Sequence, residues 1–198
     1  MSQYQICFSG AAKGASVELG KDLAFESGRF IAASGHHLLT GATTGLPNYA
    51  AQGAKDERGM SIGLSPAANL HEHVHDYMLP TECYDIIFYT GQHFIGRDVM
   101  LVQSSDALIS MGGRIGTTHE FAVAMELGKP VGVLRGAGGT SEMFRDLLEA
   151  SGDAAYPPLI ESDDPDDLVR QLTKILDEQQ EQLAVRRRAH LEQERQIP

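Results

Sequence analysis

The sequence predicts an α/β protein in one domain over residues 1–198, a doubly wound parallel sheet of about seven strands with helices on both faces. Three observations predict it. Short apolar runs recur without polar alternation, the pattern of strands buried on both faces. Segments of helical periodicity separate them, so successive strands connect through right-handed crossovers. Glycine-rich turns stand at several strand ends, where open parallel sheets receive their ligands. Together these describe a Rossmann-like layered fold.

The first strand is expected over Tyr4 to Phe8, and the loop Ser9-Gly10-Ala11-Ala12-Lys13-Gly14 leads from it into a helix from Ser16 to Ala33. The second strand, His37 to Thr40, meets Gly41-Ala42-Thr43-Thr44-Gly45 and then a helix from Pro47 to Glu57, where proline suits a first turn. A third strand, Met60 to Leu64, precedes a long connection from Ser65 to Tyr84; loops of that length in compact domains are often functional. The fourth strand, Ile86 to Tyr89, runs through Thr90 to Arg97 into a helix from Gly96 to Ser104. The fifth, Ala107 to Met111, enters a glycine turn and a helix from Thr117 to Leu127, which Gly128 closes as a left-handed cap. Pro130 then opens the sixth strand, Val131 to Leu134. A helix from Ser141 to Ala150, a strand from Pro158 to Ile160 and a helix from Pro165 to about His190 complete the order. In the last helix Leu168, Leu172, Ile175 and Leu176 make an apolar stripe, but beyond Asp177 the sequence is almost wholly polar apart from Leu183, Val185 and Leu191. That tail is expected to fray or to pack on a partner subunit.

A chain of 198 residues, 42% hydrophobic, is long enough to bury one good core. No run approaches the roughly 18 to 20 apolar residues of a membrane span, and no charged-then-apolar export signal opens the chain, so a cytoplasmic protein is expected. The net charge of −11 repels phosphate polymers and argues against a nucleic-acid partner. Arg186-Arg187-Arg188 lies among glutamates in a polar helix and reads as part of a solvated face. Cys7 and Cys83 are too few for a disulfide framework and lack metal-ligand spacing.

The most informative stretch is Gly112-Gly113-Arg114-Ile115-Gly116-Thr117. Gly112, Gly113 and Gly116 let the backbone turn sharply and approach an anion, while amides around Arg114 and the helix dipole favour negative charge there; Thr117 adds a hydroxyl donor. A glycine turn that merely closes a strand-helix corner is the plain alternative. Ser9, Gly10 and Gly41 belong to the same set of small strand-end residues, and Lys13 is either a phosphate contact or an ordinary solvated lysine. Glu120 projects from the first turns of the helix that follows; a carboxylate near a helix N-terminus also stabilises the helix. Arg97 is delivered by the loop after the fourth strand, with a salt bridge to Asp98 or Asp106 as its structural alternative.

This spacing resembles the Lonely Guy (LOG) family, whose members carry P-G-G-x-G-T-x-x-E, an arginine upstream of it and a G-G-G-x-x-G-L-M-G segment. Gly112 to Glu120 matches the first with glycine in the proline position and Arg114 in place of the second glycine. Arg97 matches the upstream arginine, and Gly41-Ala42-Thr43-Thr44-Gly45-Leu46-Pro47 matches the third segment loosely, so the likeness spans roughly Tyr4 to Leu134. The resemblance implies hydrolysis of the N-glycosidic bond of a nucleoside 5′-monophosphate to base and ribose 5-phosphate. It implies a glycine turn on the phosphate, and Arg97 and Glu120 as catalytic contacts to base and ribose. A carboxylate there would stabilise oxocarbenium character at the sugar. It further implies no required cofactor, a nucleoside monophosphate or other phosphorylated heterocycle as ligand, and a homodimer or higher homo-oligomer. Interface candidates are the apolar part of Pro165 to His190 and the helix after Thr117.

Two further residues depart from the LOG pattern: His119 stands before the glutamate where another acid is usual, and Asp98 follows the arginine where lysine is usual. With Pro80-Thr81-Glu82-Cys83-Tyr84-Asp85 and Thr90-Gly91, these look more like the molybdenum cofactor carrier proteins of the same superfamily. Those have an all-glycine version of the turn and bind a phosphate-bearing pterin without hydrolysis. A non-catalytic carrier is therefore the alternative expectation.

His71, His73 and His75 share one side of a strand, whereas on a helix His71 and His75 share a face. No cysteine or H-E-x-x-H pattern completes a zinc set, so an exposed polar loop is expected and no metal site is assigned. Superfamily members are often labelled lysine decarboxylases. Of the five lysines only Lys13 follows a strand end, and nothing pairs with it as a pyridine-nitrogen partner, so pyridoxal chemistry is not expected.

Overall fold

Alternation along the first strand sets the two layers. In the computed structural model, which describes residues 2–152 and 156–194, Ile6 and Phe8 bury against one helical layer and Cys7 against the other. The strands are β1 (Gln5–Gly10), β2 (His37–Thr40), β3 (Ser61–Ser65), β4 (Ile86–Tyr89), β5 (Ala107–Met111), β6 (Val131–Leu134) and β7 (Leu159–Ser162). They form one parallel sheet in the order β4-β3-β2-β1-β5-β6-β7. The helices are α1 (Ala15–Ala33), α2 (Leu46–Asp56), α3 (His93–Gln103), α4 (Ile115–Glu126), α5 (Phe144–Ser151) and α6 (Pro165–Glu194).

Apolar residues of α1, α2 and α6 pack on Ile6, Phe8, Leu38, Ile109 and Met111; those of α3, α4 and α5 pack on Cys7, Leu39, Leu108, Val131 and Val133. The expected doubly wound sheet is thus observed. Because β1 connects to β2 on one side and pairs with β5 on the other, the chain reverses its direction of travel across the sheet at β1 and β5. A crevice opens at such a switch point, outside the carboxyl ends of the strands.

Close backbone packing holds α1 against α2. A Cβ on Gly28 would stand 1.8 Å from the Ala50 carbonyl oxygen, and one on Gly53 1.9 Å from that of Phe25, so the two helices meet backbone to backbone. Gly45, at φ 76°, lets the Leu46 amide donate to the Ala11 carbonyl, tying the loop after β2 to the loop after β1.

Two helices begin earlier than expected. Gly96 and Gly116 lie inside the first turns of α3 and α4, which therefore begin at His93 and Ile115. The segment before α5 is a 3₁₀ turn, Thr140–Met143, and the long connection carries a short π-helical segment, Glu72–Asp76. Helix α6 reaches Glu194; Leu168, Val169, Leu172 and Leu176 are buried, and beyond them the described side chains are exposed apart from the half-buried Gln179. No helix among the described residues is long and apolar enough to cross a membrane.

Candidate functional site

Two cavities adjoin at the switch point. The first lies under the glycine turn. After β5 the backbone turns through Gly112 (φ 63°) and Gly113 (φ 84°), and a Cβ on Gly113 would stand 2.0 Å from Thr117 Oγ1, so only glycine fits there. The Thr140 and Ser141 amides donate to the Gly113 and Gly112 carbonyls, each at 3.2 Å, which holds the turn from behind. Arg114 occupies the N-cap of α4 with no side-chain cap, leaving the first amides of the helix to an incoming acceptor. Gly10, Lys13, Gly113, Arg114, Gly116 and Thr117 face a cavity of about 200 Å³. Lys13 and Arg114 are exposed cations and Thr117 is buried. Helix α1 also begins here, at Gly14, again without a side-chain cap. Uncapped amides, two helix dipoles and two cations make this cavity suited to an anion.

The second cavity, about 180 Å³, is faced by Ser9, Gly41, Phe94, Arg97, Asp98 and Glu120, and shares Gly10, Ala12 and Gly116 with the first. Arg97 Nη2 lies 3.3 Å from Asp98 Oδ1, while its Nε and Nη1 are buried without a partner among the described residues. Its Cζ sits 5.9 Å from the centre of the Phe94 ring. A Cβ on Gly41 would fall 1.5 Å from Arg97 Nη1, so the missing side chain at 41 makes the space the guanidinium fills. His119 Nδ1 approaches the other Asp98 oxygen at 3.2 Å, and Ser9 Oγ donates to Glu120 Oε2. Burial first, and the neighbouring Asp98 carboxylate second, push the Glu120 carboxyl up to about 7, against the opposing pull of Arg97 and the Ser9 hydroxyl. The site therefore presents free arginine donors beside a carboxyl that keeps its proton up to about pH 7.

Arg97 and Glu120, expected together from motif spacing, face one cavity. Gly10, Lys13, Gly113, Arg114, Gly116 and Thr117 gather at the other, and Gly112 lies buried beneath it. Ser9 and Gly41, expected to bind the phosphate or the nucleotide, face the Arg97 cavity: the serine hydroxyl donates to Glu120 and Gly41 lies under the guanidinium. Arg97 pairs with Asp98 and not with Asp106, which accepts the Gln5 amide at 2.7 Å. Asp98 is the residue motif reasoning missed as part of the site. Its signal was the departure from lysine at that position, together with His119 twenty-one residues on.

His73 corrects the expectation of an exposed loop. It is fully buried: its Nε2–H donates to the Pro80 carbonyl at 3.0 Å, which leaves Nδ1 to accept from Ser65 Oγ at 2.8 Å. The residue fastens the long connection to the end of β3. His71 and His75 share an exposed face, with ring centres 4.6 Å apart. Among the described residues no group of three His, Cys, Asp or Glu is placed to hold a metal.

This sheet order, with an uncapped glycine turn beside an arginine and a glutamate at its switch point, defines a LOG-like Rossmann-type protein. The chain belongs to the SLOG cluster4 family, whose model matches residues 3–169. An uncharacterized protein of Archaeoglobus fulgidus is 35% identical over 113 residues, 57% of this chain and 69% of that one. Among solved structures, the molybdenum cofactor carrier protein of Chlamydomonas reinhardtii is 28% identical, with a TM-score of 0.71 over 89% of this chain and 99% of that one. The molybdenum cofactor binding protein of Rippkaea orientalis is 27% identical, with a TM-score of 0.70 and the same coverage.

Proposed function

We propose that this is a cytoplasmic binding protein for a small phosphorylated heterocycle, either a nucleoside monophosphate or a phosphate-bearing pterin such as that of the molybdenum cofactor. The observation that carries the reading is adjacency: a cationic cavity at the α4 N-terminus opens onto one in which Arg97 has two buried donors to spare. The phosphate takes the α4 amides, Thr117 and the charges of Lys13 and Arg114. The ring takes Arg97 and Glu120. A ligand carbonyl or ring nitrogen satisfies the guanidinium, relieving the cost of buried unpaired donors. Asp98 favours binding without turnover, because it holds Arg97 by an ion pair and His119 by a hydrogen bond in one fixed arrangement. The carrier and binding proteins of Chlamydomonas reinhardtii and Rippkaea orientalis support the same choice.

A second reading, hydrolysis of the N-glycosidic bond of a nucleoside 5′-monophosphate, is favoured by the placement of Glu120 beside Arg97 in one cavity. Water would add at C1′ as the C1′–N bond breaks with its electrons remaining on the base. Protonated Glu120 would supply the proton the departing nitrogen takes and regain one from the attacking water, and Arg97 would steady the leaving ring. Neither reading calls for a resident cofactor or metal, and we take the working form to be a homodimer or larger homo-oligomer.

Titration calorimetry with AMP and with molybdopterin, paired with chromatography for free base, tests both. Retained ligand without product carries the binding reading. Base release that Glu120→Ala abolishes transfers the conclusion to hydrolysis, and absence of binding to any phosphorylated heterocycle overturns both.

A further inference from the structure

We propose that Phe94 is the platform on which the ligand's ring stacks, so that the site selects phosphate esters that carry a flat heterocycle over those that carry a sugar alone. The inference rests on the phosphorylated-heterocycle reading. It adds the residue that meets the face of the ring, whereas Arg97 and Glu120 offer hydrogen bonds to its edge.

Phe94 stands in the first turn of α3, lines the Arg97 cavity and is 46% exposed. Phe8 and Pro47 line the same cavity, so apolar walls surround a few polar atoms, the composition of a small-molecule site. The neighbouring Ile95, 66% exposed, lines neither cavity. Arg97 Cζ lies over the Phe94 ring at 5.9 Å from its centre. A heterocycle that accepts from that guanidinium is held beside the phenyl ring, and offset-stacked rings stand roughly 4.5–7 Å apart at their centres.

The long connection supplies the support. Tyr77, just past its π-helical segment, meets Phe94 edge to face, with ring centres 5.5 Å apart and planes at 77°. The Tyr77 hydroxyl hydrogen-bonds His93 Nδ1 at 2.7 Å. His93 takes φ 52°, a left-handed backbone that glycine adopts at less cost, so the imidazole is what this position gains over glycine. The His93 and Gly91 amides donate to the Pro66 and Ala67 carbonyls at 3.1 and 2.9 Å, tying the start of α3 to the start of the connection. A solvent-facing phenylalanine needs no such frame. A ring that presents a fixed face to a ligand does, because binding then costs no entropy for ordering it.

Titration calorimetry with AMP and with ribose 5-phosphate, which has the same phosphate and sugar without the ring, tests the proposal. Wild type is expected to bind AMP about tenfold more tightly or better, the size of base stacking on one aromatic side chain. Phe94→Leu should remove about tenfold of the AMP affinity and leave ribose 5-phosphate unchanged, and Phe94→Tyr should keep both. Tyr77→Leu removes the edge contact and the hydrogen bond to His93 together. It should weaken AMP several-fold with ribose 5-phosphate again unchanged, a selective loss that marks a positioning residue, since damage to the fold would weaken both. The chain has no tryptophan, so Phe94→Trp supplies a single reporter whose fluorescence AMP should quench and ribose 5-phosphate should not. The stacking is overturned by equal affinity of wild type for the two ligands, by a Phe94→Leu chain that binds AMP like wild type or loses both ligands in parallel, or by a tryptophan that AMP leaves unquenched. A Tyr77→Leu chain with full AMP affinity overturns the support by the long connection. A wild-type chain that binds neither ligand overturns the phosphorylated-heterocycle reading itself, and the stacking with it.

Discussion

Replacing Glu120 by Gln should change how stability depends on pH, and by an amount the site itself sets. Glu120 is 8% exposed, hydrogen-bonded to Ser9, and flanked by Asp98 and Arg97. Its carboxyl is raised from 4.5 to about 7 in the folded chain. Between those values the folded protein keeps a proton that the unfolded chain has released. Its contribution to stability is therefore fully present below 4.5 and is lost progressively as pH rises through about 7, above which it stays lost. The gap corresponds to about 3 kcal/mol at 1.36 kcal/mol per tenfold change in proton affinity. Glutamine keeps the shape and a donor without titrating. Urea unfolding followed by circular dichroism should give similar stabilities for the two proteins near pH 4, with wild type falling behind by about 3 kcal/mol near pH 8. Asp85 and Glu161, whose carboxyls are held low by hydrogen bonds from Lys55 and from Arg145 and Arg135 against the effect of burial, contribute in the opposite sense. Being common to both proteins, they cancel in the difference. Parallel profiles across this range would refute the placement of Glu120 as a buried, neutral acid beside Asp98.

Three further perturbations follow from distances in the same region and from the helix contact behind it. Gly41→Ala puts a methyl 1.5 Å from Arg97 Nη1, so the guanidinium must leave its seat; calorimetry with AMP should show affinity reduced roughly tenfold or more, the value of a charged hydrogen bond, and thermal unfolding should show some loss of stability because Asp98 is left without its buried partner. Lys13→Ala should weaken AMP binding by less, a few-fold, and flatten its salt dependence, because an exposed cation acts through a screened field; an unchanged salt slope would remove Lys13 from the site. Gly28→Ala drives a methyl to 1.8 Å from the Ala50 carbonyl oxygen, which is backbone and cannot swing aside; thermal unfolding should show a loss of about 3 kcal/mol or more, and an unchanged midpoint would contradict the backbone-to-backbone packing of α1 on α2.

Strand positions and the parallel sheet were legible because burial on both faces removes polar alternation, and every expected strand appears within two residues of its observed bounds. Helix starts were less legible: α3, expected from Gly96, begins at His93, and Gly116, expected in the turn, lies in the first turn of α4, where amides need no intrahelical acceptor. The long connection hid its anchor. Nothing local marks His73 as buried, because its partners Ser65 and Pro80 come together only when the connection folds back over the end of β3.

The site divides the same way. The anion cavity was legible because its chemistry is local: a glycine turn, a helix start and a hydroxyl in one stretch of chain. The Arg97 cavity was legible only by its residue types. Its content depends on strand order, which alone brings Ser9 at the end of β1 to Glu120 on α4, 111 residues away, and Gly41 at the end of β2 under a guanidinium from α3. Asp98 shows why order matters. Adjacent residues on a helix point about 100° apart, so sequence spacing assigns Arg97 and Asp98 to different surroundings. Here both are buried, because the start of α3 is enclosed by the loops after β1 and β2 on one side and by α4 on the other, and Asp98 can hold Arg97 with one oxygen and His119 with the other. The same enclosure leaves Glu120 only 8% exposed. The aspartate that steadies the arginine is thus also, after burial itself, what raises the Glu120 carboxyl, and a change at position 98 should alter both at once.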